Sequence, residues 1–227
     1  MELLQNISVQ KTKLTSFKDI FELWEFCHQH VLDRRMGEIA TYWKNIEELS
    51  HIDFILEEDF MPEYVFSVYS AGFKASVVTK KFNQLLYAHN IFDANGKFID
   101  ALSINRSQQM SYNLALGVIG NKAKAKAIQD TRATIAATGW EAFHRTYLKG
   151  KEPEKIRGLP FMGPALSCHV ARNLGNVNVA KPDVHLNRLA QHYGIESAQK
   201  LCETISGYPA AYNDLVLWLA SADHGTR

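Results

Sequence analysis

Apolar residues recur at helical spacing along most of the chain. Phe17, Ile20, Phe21, Trp24, Val31 and Leu32 mark one face of an amphipathic first helix, with Ser16 as its cap. Met36, Ala40, Tyr42 and Trp43 extend a second helical stretch, and Ile46, Leu49, Phe54, Ile55 and Leu56 carry the pattern on between acids. Pro62 is expected to open the next element, through Tyr64, Val65, Val68 and Tyr69 to a Gly72-Phe73-Lys74 junction. A helix over 77–86, a turn at Asp93–Lys97, a weakly helical stretch over 106–119 and an Ala/Lys helix from Lys122 follow. Further helices are expected around 140–148, 164–174, 183–190, 195–205 and 212–222, while residues 1–15 are polar and carry no assignment. No alternation long enough for a sheet and no internal repeat occur, so the pattern predicts an all-α fold.

Composition narrows the partners. The chain has 227 residues, 46% of them apolar, which suits one large domain or two small lobes. Its formal net charge of +1 excludes a histone-like polycation; a nucleic-acid partner would need a local basic face and helix ends. Cys27, Cys168 and Cys202 are far apart and odd in number, giving neither a disulfide framework nor a zinc pattern. Nine histidines raise the question of a metal, but His28 and His30 have the wrong spacing for one helical face, and no catalytic metal held by the protein is expected. No signal peptide or membrane-length apolar run is visible, so a cytoplasmic protein without membrane contact is expected.

The chemistry concentrates between Ile156 and Tyr193. Leu159-Pro160-Phe161-Met162-Gly163 reads as a hairpin whose Gly163 is expected to take a backbone conformation that a side chain would resist. Pro164 presets the first turn of a helix that runs to a C-terminal Gly175. The unpaired N–H groups and positive dipole end of that helix suit an anion such as a phosphodiester. After a loop, Pro182-Asp183 opens another helix, with Val184, Leu186, Leu189 and Ala190 inward and Asp183 at its N-cap, where negative charge is favoured.

The L-P-x-x-G hairpin, the helix behind it, and the loop ending in Pro-Asp with D-x-H resemble the helix-hairpin-helix superfamily of base-excision DNA glycosylases. The likeness is strong over about 40 residues and weaker from Tyr64 to Trp218. It implies two helical lobes with a cleft between them: residues 1–60 packing with 195–227, and a central lobe over 61–194 holding the motif at about 142–174. It implies that Leu159, Pro160, Phe161, Met162, Gly163 and Pro164 grip the DNA backbone, with His185 and Lys122 as further contacts, and that Asp183 serves catalysis. Lys122 and Lys126, four apart, either face DNA together or form a solvated helix face. Phe73, Lys74 or Tyr64 would fill the gap left by an extruded nucleotide or line the base pocket; the alternative for Phe73 is core packing.

Branches that also cut the strand carry a lysine two residues after the last hairpin glycine, where this chain has Ala165. The resemblance therefore implies a monofunctional hydrolase that flips a damaged base and breaks its N-glycosidic bond, and Gly163-Pro164 after the hairpin inclines the expected substrate toward alkylated purines. It further implies double-stranded DNA as the partner and a monomeric protein. No iron–sulfur cluster or other cofactor is required, although a monovalent cation on hairpin carbonyls is implied. Two rivals remain: a lyase using another lysine, with Lys181 the suspect, and a non-catalytic DNA-binding module.

Overall fold

The computed structural model describes residues 12–103, 107–205 and 207–224. The unassigned start of the chain through residue 11, and Arg106 at the head of the 106–119 segment, lie outside them. Among the described residues the elements are α1 (Ile20–Ser50), α2 (Glu57–Ser70), α3 (Ala75–Ala88), α4 (Gln108–Val118), α5 (Lys122–Thr138), α6 (Trp140–Tyr147), α7 (Pro153–Ile156), α8 (Pro164–Asn173), α9 (Val184–His192), α10 (Ala198–Thr204) and α11 (Ala210–His224). Short 3-10 turns intervene, and the nearest thing to a strand is one antiparallel bridge between Phe92 and Phe98. The all-α fold expected from the pattern is the one observed.

Boundaries differ where caps and tertiary partners decide. α1 starts after Asp19, whose Oδ1 accepts the N–H groups of Phe21 and Glu22 at 3.0 Å; Ser16 instead closes a 3-10 turn. The two expected N-terminal helices are one run broken by a kink at Arg35 (φ −134°, ψ 22°). Pro62 lies inside α2, whose first turn is acidic at Glu57, Glu58 and Asp59. Those acids complement the dipole there, while the proline removes the bond its N–H would give Glu58 and crowds that carbonyl.

The chain forms two compact units. One is Lys44–Lys181; the other joins the described residues up to Trp43 with those from Pro182 onward. Sequence divisions at 60/61 and 194/195 thus move to 43/44 and 181/182. Leu49, Ile55 and Phe60 pack in the central core, and α9 packs on α10 and α11.

In the terminal unit, Leu23, Cys27 and Val31 of α1 are buried, as are Leu186, Leu189, Leu201, Leu215 and Leu219 of the later helices. The kink lets Arg35 grip Asp223 of α11 with two bonds, Nε to Oδ2 at 2.8 Å and NH2 to Oδ1 at 2.6 Å. The Arg35 hydrogen bond is the main reason the Asp223 carboxyl falls to about 2. Among the described residues of the central unit, Phe60, Tyr64, Val68, Leu85, Ile128, Ile135 and Phe143 belong to a buried core of 24 that extends to both sides of the hairpin. Within it Arg132 pairs with the buried Glu57 at 2.8 Å and donates to the Asn90 and Ile99 carbonyls, while Glu57 accepts the Ala101 N–H. These bonds serve most of the pair's donors and acceptors, Arg132 Nε excepted, and help make its burial tolerable.

Candidate active site

The hairpin lies between the four-residue α7 and α8, so the motif begins at Pro153 and not at about 142. Leu159 and Met162 are buried and anchor its two arms, and the Met162 N–H donates to the Leu159 carbonyl at 3.2 Å. Phe161 carries the strained geometry, with φ +68°, and its ring stands exposed. Gly163 corrects the expectation: at φ −82° and ψ −179° it is extended backbone, and a Cβ there would meet nothing within 4 Å. It is the N-cap of α8, exposed together with Pro164, and the Ser167 N–H donates to its carbonyl at 2.9 Å. The first-turn amides behind it have no intrahelical acceptor.

Tyr64 also departs from its expected place. It is fully buried against Phe60, and its hydroxyl donates to the Pro160 carbonyl at 2.6 Å while accepting from Thr131 at 2.9 Å. A side chain so enclosed braces the hairpin from below and lines no base pocket. In the hairpin the Pro160 carbonyl accepts from Tyr64 and the Leu159 carbonyl from the Met162 N–H. Among the described residues no group of three or more His, Cys, Asp or Glu side chains could hold a metal.

Lys122 is exposed at the first position of α5, which Asn121 caps. Lys126 is exposed and paired with Asp130 at 2.6 Å. Lys74 is exposed as the N-cap residue of α3, and Phe73 is exposed beside it. Between these tips sits Lys124, which the sequence reading passed over: it is buried, and its Nζ lies 4.3 Å from the Phe73 ring centroid and 5.7 Å from that of Phe161. Phe73 and Phe161 are thus brought together.

Behind the hairpin, α8 carries a second group that pattern reasoning missed. His169 stands one turn beyond Ala165 on the same face. Its Nδ1 accepts from Arg172 at 3.1 Å, which places the ring proton on Nε2, 3.5 Å from Glu63 Oε1. The same oxygen accepts from Asn173 Nδ2 at 2.9 Å and Ser67 Oγ at 3.1 Å. Burial raises the Glu63 carboxyl, against the pull of these hydrogen bonds and of the Arg172 and Lys181 cations. Burial likewise holds His169 well below the usual imidazole range, with Lys181 and Arg172 adding to the effect. The His-x-x-x-Asn spacing on a helix was the available signal, but Glu63 is distant in sequence.

Asp183 is the N-cap of α9. Its Oδ1 accepts the N–H groups of His185 at 2.9 Å and Leu186 at 3.0 Å, so the cap uses one oxygen and does not need Oδ2. Asp183 and His185 are partly exposed, and Val184, expected to face inward, is exposed because only Leu186, Leu189 and Ala190 reach the core.

An all-helical chain with a short hairpin between α7 and α8 defines a helix-hairpin-helix architecture. No family model matches the chain, and no curated protein matches it in sequence. Among solved structures its fold is similar to that of the Methanocaldococcus jannaschii 8-oxoguanine glycosylase/lyase, crystallised with a 15mer DNA containing 8-oxoguanine. The TM-score is 0.60 at 13% identity, over 88% of this chain and 97% of that one. At this identity the likeness is one of fold. Among the described residues no helix is long and apolar enough to cross a membrane.

Proposed function

We propose that the protein is a monomeric DNA glycosylase that flips a damaged base out of the duplex and hydrolyses its N-glycosidic bond with Asp183. The observation that carries this reading is the acid itself: a carboxylate fixed as a helix cap through Oδ1 alone, on the loop that follows a hairpin–helix unit. The fold it shares with a glycosylase/lyase supports it.

The chemistry follows from the groups present. A stacked base hides its glycosidic bond, so the nucleotide leaves the duplex first. As the bond breaks, its electron pair departs with the base and positive charge develops on the sugar. The Asp183 carboxylate stabilises that charge and accepts a proton from water, whose oxygen bonds to C1′. Ala165 offers no amine for a Schiff base, so water is the nucleophile and an abasic site the product. The hairpin amides and Lys122 hold the backbone, without reading sequence.

A lyase reading would use Lys181, two residues before Asp183 in the chain. Borohydride trapping on abasic duplexes separates the two, with a covalent adduct expected only for the lyase.

The test of the hydrolase is Asp183→Asn, assayed on duplexes bearing a panel of lesions, alkylated purines and 8-oxoguanine among them. Asparagine caps helices about as well as aspartate, so folding and DNA binding are retained. Excision should fall by about three orders of magnitude or more, because an amide neither balances the sugar cation nor takes water's proton. Asp183→Ala should lose a further ~1 kcal/mol of stability with the cap. Wild-type excision by Asp183→Asn would reduce Asp183 to a cap.

A further inference from the structure

Lys124 has a defined place that neither core packing nor solvation explains. Its side chain is only 2% exposed, yet it carries an ammonium with no acid bonded to it. Nζ donates to the Tyr69 carbonyl at 2.8 Å and to the Ala71 carbonyl, both at the end of α2, where carbonyls lack helical donors and a cation is favoured. From that fixed point it lies under two aromatic rings from separate elements, each within the distance at which a cation is attracted to a ring face.

Both rings are exposed for reasons built into the backbone. Gly72, at φ +72°, turns the chain so that Phe73 emerges 42% exposed. Phe161, itself at φ +68°, stands 40% exposed between the buried Leu159 and Met162. Two flat apolar rings at loop tips, stiffened by one buried cation, have the size and chemistry to occupy the space a nucleobase vacates. We infer that Lys124 is a positioning residue that fixes Phe73 and Phe161 as a paired aromatic wedge for the gap left by a flipped nucleotide. The inference rests on the glycosylase reading.

The charge that matters is labile. Burial lowers the Lys124 ammonium to about 8. The titratable side chains on the elements packed around it are Tyr69, whose hydroxyl is hydrogen-bonded to His89; Lys74 in the turn; and Lys122, Lys126 and Asp130 on α5, the last two paired. The hairpin from Leu159 to Gly163 has none. Above about pH 8 the amine keeps two N–H donors for the carbonyls but loses its attraction for the rings.

The probe is a duplex holding a tetrahydrofuran abasic analogue next to 2-aminopurine, whose fluorescence rises when a wedge unstacks it. Wild-type protein should produce a rise that declines as pH passes through about 8. Phe73→Ala and Lys124→Met should reduce the complex giving that rise by about tenfold at pH 7. Lys124→Arg should restore it and remove the pH dependence, because a guanidinium stays charged. The salt dependence of binding should not change in Lys124→Met, since a buried lysine neutralises no phosphate; a slope smaller by about 0.9 would make Lys124 a DNA contact and overturn the inference. A wild-type rise in folded Lys124→Met would also overturn it. If Lys124→Met does not fold, the wild-type profile decides, and a flat profile across pH 8 rejects the wedge role. No rise with wild-type protein would instead overturn the glycosylase reading, and the wedge with it.

Discussion

The two ends of α8 are both marked by glycine, but only one of them requires it. At the C-terminal end Gly175 has φ +99°, and a Cβ would lie 2.4 Å from the Leu49 carbonyl carbon and 2.5 Å from the Ser50 nitrogen. The Asn176 and Gly175 N–H groups close a Schellman pair on the Ala171 and Arg172 carbonyls at 2.9 Å each. There glycine is a requirement of packing. At the N-terminal end Gly163 has ordinary extended backbone and open space where a side chain would go. A position that tolerates a side chain yet lacks one leaves the helix amides bare. One glycine holds the fold; the other keeps a surface clear.

Substitutions at both ends sharpen the contrast. Gly175→Ala forces a Cβ into backbone atoms at positive φ, and should cost on the order of 3–5 kcal/mol, read as a lowered denaturation midpoint. A stability within error of wild type would mean the α8–α1 approach relaxes freely. Gly163→Asp should leave stability unchanged or slightly raised, because aspartate caps at least as well as glycine. Its charge at the amide end should weaken duplex binding on the order of tenfold at low salt, less at high salt, and alike for all sequences. Gly163→Ser is the smallest change, a neutral cap that should alter stability and binding by no more than a few tenths of a kcal/mol. A large binding loss in that variant would show that bulk, not charge, is excluded there.

Local rules were readable in the sequence, and long-range choices were not. The bounds of α8, the αL glycine behind it and the Asp183 cap follow from Pro at N1, Gly at C′ and an acid after a loop. The lysines at 122, 124 and 126 alternate with alanine, so nothing local says which one turns inward; the carbonyls ending α2 decide for Lys124. Tyr64 sits on an apolar stripe where periodicity cannot distinguish a pocket wall from a strut. The Glu63–His169 pairing joins helices about a hundred residues apart, beyond any spacing rule. Pro62 inside α2 shows tertiary packing overriding a local start signal.

The grip of Arg35 on Asp223 bears on how the chain assembles. Lys44–Lys181 is continuous and can close its core as soon as it is synthesised. The first helix cannot, because its partners lie far along the chain: Trp24 packs on Tyr212 and Phe26 on His224. At roughly 5–20 residues per second, α1 waits through some ten seconds or more of translation with its apolar stripe uncovered. It is therefore the segment a holdase chaperone would engage first, and its release is timed by the emergence of α11.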